Sequence, residues 1–161
     1  MSDRRLAVDA WESLFRAQHE VFGQISIDFD DENLSQSEYD VLLTVTRAPG
    51  MTTRLRDITR LALVSQPSVS RLVDRMVTRG LVTKCADPED GRGALVTATE
   101  KGARAFRDLA RRHAATVAER MSALTDHELT QLRDLTAKLR GLDPACVEIG
   151  DIAGAGKPPE R

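Results

Sequence analysis

Residues 65–76 hold the side chains best placed to do chemistry. The run Ser65-Gln66-Pro67-Ser68-Val69-Ser70-Arg71-Leu72-Val73-Asp74-Arg75-Met76 sets Val69, Leu72, Val73 and Met76 at i, i+3, i+4 and i+7, and turns Gln66, Ser68, Ser70, Arg71, Asp74 and Arg75 away from that row. A helix with this pattern buries one face and offers on the other an amide, two hydroxyls and two guanidiniums, groups that hydrogen-bond to base edges and phosphates. Downstream, Lys84 and then Asp87-Pro88-Glu89-Asp90-Gly91-Arg92-Gly93 add a second cationic spot with Arg92 between two glycines. This is chemistry of anion recognition. No Gly-rich phosphate loop, G-x-S-x-G elbow or H-E-x-x-H helix occurs, so no enzyme activity and no cofactor is expected. His19, His113 and His127 never cluster with Cys85 or Cys146 at ligand spacing, and no metal site is expected either.

The elements that must position these groups are legible in turn. Ser65 is the expected N-cap of the 65–80 helix, with Pro67 in its first turn and Gly80 at its end. Residues 5–29 read as a long helix with one apolar row at Leu6, Ala10, Leu14, Ala17, Val21 and Ile25 and a second at Trp11, Phe15 and Phe22. Two rows call for two burials, one within the chain and one on a partner. Leu34-Ser35-Gln36-Ser37-Glu38-Tyr39 carries a capping box and staple that start a helix to about Arg47, which Pro49-Gly50 stops. A short helix through Leu55, Ile58 and Leu61 and a linker at Ala62-Leu63-Val64 follow. Residues 81–85 and 94–98 read as a β-hairpin with a charged tip at 86–93. Thr99 caps a long helix through Phe106 and His113 to Met121. Thr125 and Glu128 repeat the capping box before a last helix bearing Leu129, Leu132, Leu135 and Leu139. Residues 143–161, rich in Pro, Gly and Ala, are expected to form a flexible tail, with Val147, Ile149 and Ile152 able to dock on a groove.

The chain has 161 residues and a formal net charge of −2. Residues 51–101 hold nine basic and six acidic side chains, a balance of +3, leaving −5 for the remainder. Six aromatic residues and 41% apolar content imply a core of Leu, Val, Ile and Ala, which favours helices over a β-sandwich. Apolar runs fall short of the roughly 20 residues that span a bilayer and the first residues lack a signal-peptide core, so a cytoplasmic protein without membrane contact is expected.

Helix, short helix, tight turn, capped helix with a polar face and then a hairpin is the order of a winged helix-turn-helix. The expected fold is mainly α, about six helices, with a winged domain at 34–99 and a helical region at 1–33 and 100–142, whose first helix keeps one apolar face for a partner. Double-stranded DNA is the expected partner, with Gln66, Pro67, Ser68, Ser70, Arg71 and Arg75 in a major groove, Lys84 near phosphate, and Asp90 and Arg92 at the neighbouring minor groove. A winged helix that docks acidic proteins, or one regulated by oxidation of Cys85, are the alternatives.

Residues 10–140 resemble the MarR-type transcriptional regulators. The similar stretches are 34–42, 65–76 through Gly80-Leu81-Val82, Asp87-Pro88-Glu89-Asp90-Gly91-Arg92-Gly93 and Thr99-Glu100-Lys101-Gly102. The resemblance implies a homodimer held by the first helix and the last two, one winged domain per subunit, and an Asp90–Arg92 pair that orients the arginine toward the minor groove. It also implies a repressor of a pseudo-palindromic operator and a small aromatic or anionic effector, with Trp11 a candidate for its pocket. The chain departs from the family at Gly91, where a second basic residue is frequent, and at Cys85, where a polar residue is common. The family's hydroperoxide sensors carry a reactive cysteine near the N-terminus, whereas the first cysteine here is Cys85.

Overall fold

The computed structural model describes residues 3–29, 33–61 and 66–141. In order they form α1 (Arg4–Ile25), a 3₁₀ turn, α2 (Gln36–Arg47), a second 3₁₀ turn, β1 (Thr52–Arg54), α3 (Leu55–Leu61), α4 (Gln66–Thr78), β2 (Val82–Asp87), β3 (Asp90–Ala98), α5 (Glu100–Arg120) and α6 (Asp126–Leu139). Six helices and a small antiparallel sheet in this order are a winged helix-turn-helix, as the sequence leads one to expect. Residues 29–112 make one compact unit, and residues 3–28 with 113–141 make another. The expected cap at Ser65, the linker at 62–64, Cys146 and the 143–161 tail lie outside the described residues.

The winged unit is built around one core. Leu34, Tyr39, Val41, Leu42 and Val45 from α2 and its approach meet Ile58 of α3, the Val69, Leu72, Val73 and Met76 row of α4, Val82 and Val96 of the sheet, and Phe106, Leu109 and Ala110 of α5. Each fully buried aliphatic side chain here stabilises the fold by about 1.5–3 kcal/mol. Tyr39 lies between Phe29 and Phe106, with ring centroids 5.3 and 5.1 Å away. Ser35 caps α2: its hydroxyl accepts from Glu38 N–H, while the Glu38 carboxylate accepts from Ser35 N–H at 2.9 Å. α4 ends in a Schellman motif, Gly80 N–H donating to Val77 O and Leu81 N–H to Met76 O, with Gly80 at φ 70°.

Strand order is β1-β3-β2, both pairs antiparallel. The strand at Thr52–Arg54 is not among the elements that the sequence predicts. Three residues are too short to show alternation, and their ladder partners, Leu95 to Thr97, lie more than 40 residues away. The hairpin also runs further than expected. Pairing continues to Asp87 and resumes at Asp90, so the turn is only Pro88-Glu89, and Gly91-Arg92-Gly93 are the extra residues of a bulge between the partners of Ala86 and Asp87.

In the helical unit, Asp3 caps α1 by accepting from Arg5 N–H, and the last turn tightens into 3₁₀ over Ser26–Phe29. None of the described residues of α1 is fully buried. Leu14, Val21 and Ile25 are half covered, but Leu6, Ala10 and Ala17 of the same row are exposed, so the expected burial within the chain is only partial. Asp28 accepts from the Thr116 hydroxyl at 3.1 Å and bonds His113 Nδ1 at 2.8 Å. Thr125 and Glu128 form the expected capping box. The leucine row of α6 splits, Leu129 and Leu132 half-buried and Leu135 and Leu139 exposed. No described helix is long and apolar enough to cross a membrane.

Gly102 marks the tightest approach in the winged unit. A Cβ at this position would lie 2.0 Å from the Leu81 carbonyl oxygen, a backbone atom that cannot swing aside. Gly102→Ala is therefore expected to destabilise the protein by about 2–3 kcal/mol through overpacking, in spite of alanine's better helix propensity. Urea unfolding of the full chain measures it, and a stabilised variant would refute this packing.

Candidate nucleic-acid interface

The outward face of α4 follows from what its inward face buries. With Val69, Leu72, Val73 and Met76 in the core, the helical repeat puts Ser68, Ser70, Arg71, Asp74 and Arg75 in solvent. Gln66 and Pro67 are the first two residues of α4, and their side chains lie outside what the structure describes. Asp74, the acid that could quench Arg71 or Arg75, is engaged elsewhere: Lys84 Nζ on β2 donates to its Oδ1 at 2.8 Å. Among the described residues, Arg71 and Arg75 consequently have no ion-pair partner. Lys84, expected near phosphate, is tied to α4 by its bond to Asp74.

The position of α4 is fixed at its C-terminal end. Arg79 Nη1 donates to both carboxylate oxygens of Glu38 at 2.5 Å, and Nη2 donates to Asn33 O at 2.8 Å. Lys101 Nζ donates to Arg79 O, and the Thr99 hydroxyl donates to Gly80 O. Arg79 is thus a structural residue, as its place at a helix C-terminus leads one to expect. Burial pulls the Glu38 carboxyl upward, but the Arg79 guanidinium and the Ser35 N–H and hydroxyl outweigh it and hold the group below its ordinary value.

The wing rests on charged contacts that the sequence reading counted only as charge. Arg54 Nε donates to Asp87 Oδ2 at 2.7 Å, and the same guanidinium pairs with Glu89. Arg56 Nη1 reaches Asp90 Oδ2 at 3.3 Å. Asp87 is almost wholly buried and also accepts from Glu89 N–H at 3.0 Å. That N–H, then the Arg54 guanidinium and the charge of Arg56, hold its carboxyl below the ordinary value against the opposing pull of burial. Asp90 Oδ1 accepts from the backbone N–H of Arg92 at 3.2 Å, so the acid acts on the arginine through its main chain. The Arg92 guanidinium has no bond to another described residue. Arg54, Arg56, Thr59, Lys84, Asp90 and Arg92 border a cleft of about 470 Å³ at the base of the wing. Proximity across more than 30 residues is what hid these pairs from the sequence; the signal available was two β-branched residues and an arginine after a Pro-Gly turn.

Two further candidates are Trp11 and Cys85. Trp11 is 60% exposed, stacks near Phe15 at 6.0 Å, and lines neither the wing cleft nor a second one of about 530 Å³ along Lys101, Arg104 and Arg112. Cys85 is a free, exposed thiol on β2. Among the described residues no three His, Cys, Asp or Glu side chains are grouped to hold a metal.

A MarR-family model matches residues 32–93, the span from the approach to α2 through the bulge of the wing. The chain matches that model over its winged-helix unit, 62 of its 161 residues. Its structure is similar to AbsC, a MarR family transcriptional regulator from Streptomyces coelicolor, at 25% identity and TM-score 0.73, over 88% of this chain and 97% of that one. It is also similar to another MarR family regulator from Streptomyces coelicolor, solved in complex with DNA, at 19% identity and TM-score 0.75, over 87% and 89% of the two chains. A third likeness is BpsR from Bordetella bronchiseptica, whose DNA binding is regulated by 6-hydroxynicotinic acid, at 22% identity and TM-score 0.69, over 82% and 98%. No curated protein sequence matches significantly.

The Glu38–Arg79 pair gives the winged unit a pH signature. Because the Glu38 carboxyl is lowered in the folded state, its contribution is complete above the ordinary glutamate value and vanishes as pH falls through the lowered one. Glu38→Gln is expected to lose about 1–2 kcal/mol at neutral pH, a figure discounted for the partly exposed Arg79, and to match wild type in acid. Urea titrations across that range measure the difference; a pH-independent gap would contradict the pairing.

Proposed function

We propose that the chain is a DNA-binding transcriptional regulator that acts as a homodimer on a pseudo-palindromic operator and represses until a small aromatic or anionic effector binds. The observation that carries the reading is the pair Arg71 and Arg75, held outward on a rigid helix with the neighbouring acid already neutralised by Lys84. Guanidiniums so presented suit guanine edges and phosphates. Arg92, on the bulge of the wing, suits the concentrated negative potential of a minor groove. The related regulator solved with DNA and the effector of BpsR support the same reading by analogy.

Dimerisation is argued from surface that water disfavours. Leu6, Val8, Trp11, Phe15 and Phe22 on α1 and Leu135 and Leu139 on α6 are all exposed; Val8, Trp11, Phe15 and Phe22 recur at helical spacing, and an exposed apolar row of this kind suits an interface. α5 runs unbroken from the winged unit into the helical one, so a ligand that alters the dimer helices has a rigid element through which to alter the spacing of the two α4 helices. A coupling of about 1–3 kcal/mol suffices. If small aromatic acids and other candidate anions leave DNA affinity unchanged, the effector part of the reading fails.

Two outcomes are expected. In fluorescence anisotropy on DNA from upstream of its own gene, the protein binds with Kd of about 10⁻⁸ M or tighter, falls steeply with salt, and Arg71→Ala weakens binding by about 1–3 kcal/mol. Equal, weak binding by both proteins would favour a protein-docking role. In sedimentation, wild type runs as a dimer and Trp11→Glu shifts toward monomer; an unchanged dimer would move the interface away from α1.

A further inference from the structure

The wing presents a paradox of charge. From Asp87 to Gly93 it holds three acids, Asp87, Glu89 and Asp90, and one base, Arg92. On net charge alone this hairpin is repelled by a polyanion. The geometry resolves the paradox. Asp87 has only 2% of its side chain exposed, and its two oxygens are spent on Arg54 Nε and Glu89 N–H. Glu89 shares the Arg54 guanidinium, and Asp90 takes Arg56 with one oxygen and Arg92 N–H with the other. Two arginines from β1 and α3 therefore reach across the sheet to hold the acids. The cation left over is Arg92.

These contacts are unequal. Arg56–Asp90 is exposed on both sides and such pairs contribute little. Arg54–Asp87 has one buried partner, and taking away Arg54 leaves a buried carboxylate without its cation. The backbone beside it lacks the support of paired strands: Gly91, Arg92 and Gly93 stand outside the regular ladder, with the Arg92 N–H held by Asp90. At Gly93 a Cβ would come within 3.3 Å of Asp87 Cβ and Asp90 Cγ, so the bulge is packed against the acids it depends on.

We infer that Asp87 and Arg54 are positioning residues for DNA binding, a clamp between the wing and β1 that sets where Arg92 stands, so that a wing acid strengthens the grip on a polyanion. The inference rests on the DNA-binding reading above. It inverts the electrostatic expectation, because removing a negative charge from a DNA-facing hairpin should by Coulomb's law tighten binding.

The test is a double-mutant cycle on a duplex selected by the wild-type protein from a random pool. Asp87→Asn is expected to weaken binding about fivefold and to reduce the salt slope by about one, the loss of one phosphate-side contact. In an Arg92→Ala background the same change is expected to have almost no further effect, since both act through one side chain. Arg54→Gln, altered from the more exposed side, serves if Asp87→Asn fails to fold, and it too should add nothing to Arg92→Ala. Hydrogen exchange of the free protein should show residues 90–93 exchanging faster in either variant. Tighter binding by Asp87→Asn, an equal loss with and without Arg92, or unchanged exchange at 90–93 overturns the clamp. If wild type and Arg71→Ala bind the duplex alike, the DNA reading itself has failed, and the exchange result alone decides the clamp.

Discussion

The burial of one row of α4 is the constraint from which the rest follows. Val69, Leu72, Val73 and Met76 fill the winged core, and with a helical repeat of 3.6 residues no rotation can hide them and also hide Arg71 and Arg75. Rotating the helix by half a turn would expose four aliphatic side chains, each worth about 1.5–3 kcal/mol. That penalty rivals the whole stability of a small domain. The chemical face is thus held rigid by hydrophobic burial and needs no interactions of its own, which leaves its guanidiniums available.

Charge then refines what burial has set. The arginines divide into two roles by whether an acid reaches them. Arg54, Arg56 and Arg79 meet Asp87, Asp90 and Glu38 and hold pieces of the unit together. Arg71, Arg75 and Arg92 meet no acid among the described residues and point outward. Asp74 illustrates the economy of the arrangement, because its pairing with Lys84 both ties β2 to α4 and occupies the acid that lies beside Arg71 and Arg75 on the outward face of α4.

Sequence-local features were the ones readable in advance. The capping boxes at Ser35 and Thr125, the Thr99 cap, the stop at Gly80 and the α4 row all depend on residues within about seven positions of one another, and the structure has them where the pattern leads one to expect. What escaped depends on contacts between distant residues. β1 exists because β3 pairs with it, and the hairpin closes as tightly as Pro88-Glu89 because Arg54 draws Asp87 and Glu89 together. Lys84 was legible as a cation, but its partner ten residues away on another element was not. The leucines of α6 show the opposite limit: periodicity says which residues share a face, and says nothing of whether that face is covered by the same chain.

If the chain binds DNA as proposed, α4 reads sequence through Arg71 while Arg92 of the wing adds affinity. Selection of bound duplexes from a random pool tests it most directly, run in parallel on wild type, Arg71→Ala and Arg92→Ala. Wild type is expected to enrich two inverted half-sites about one helical turn apart, Arg71→Ala to lose preference at one or two base pairs in each, and Arg92→Ala to keep the contacted motif while binding more weakly. No enrichment by wild type, or the same motif with the same base preferences from Arg71→Ala, would contradict it.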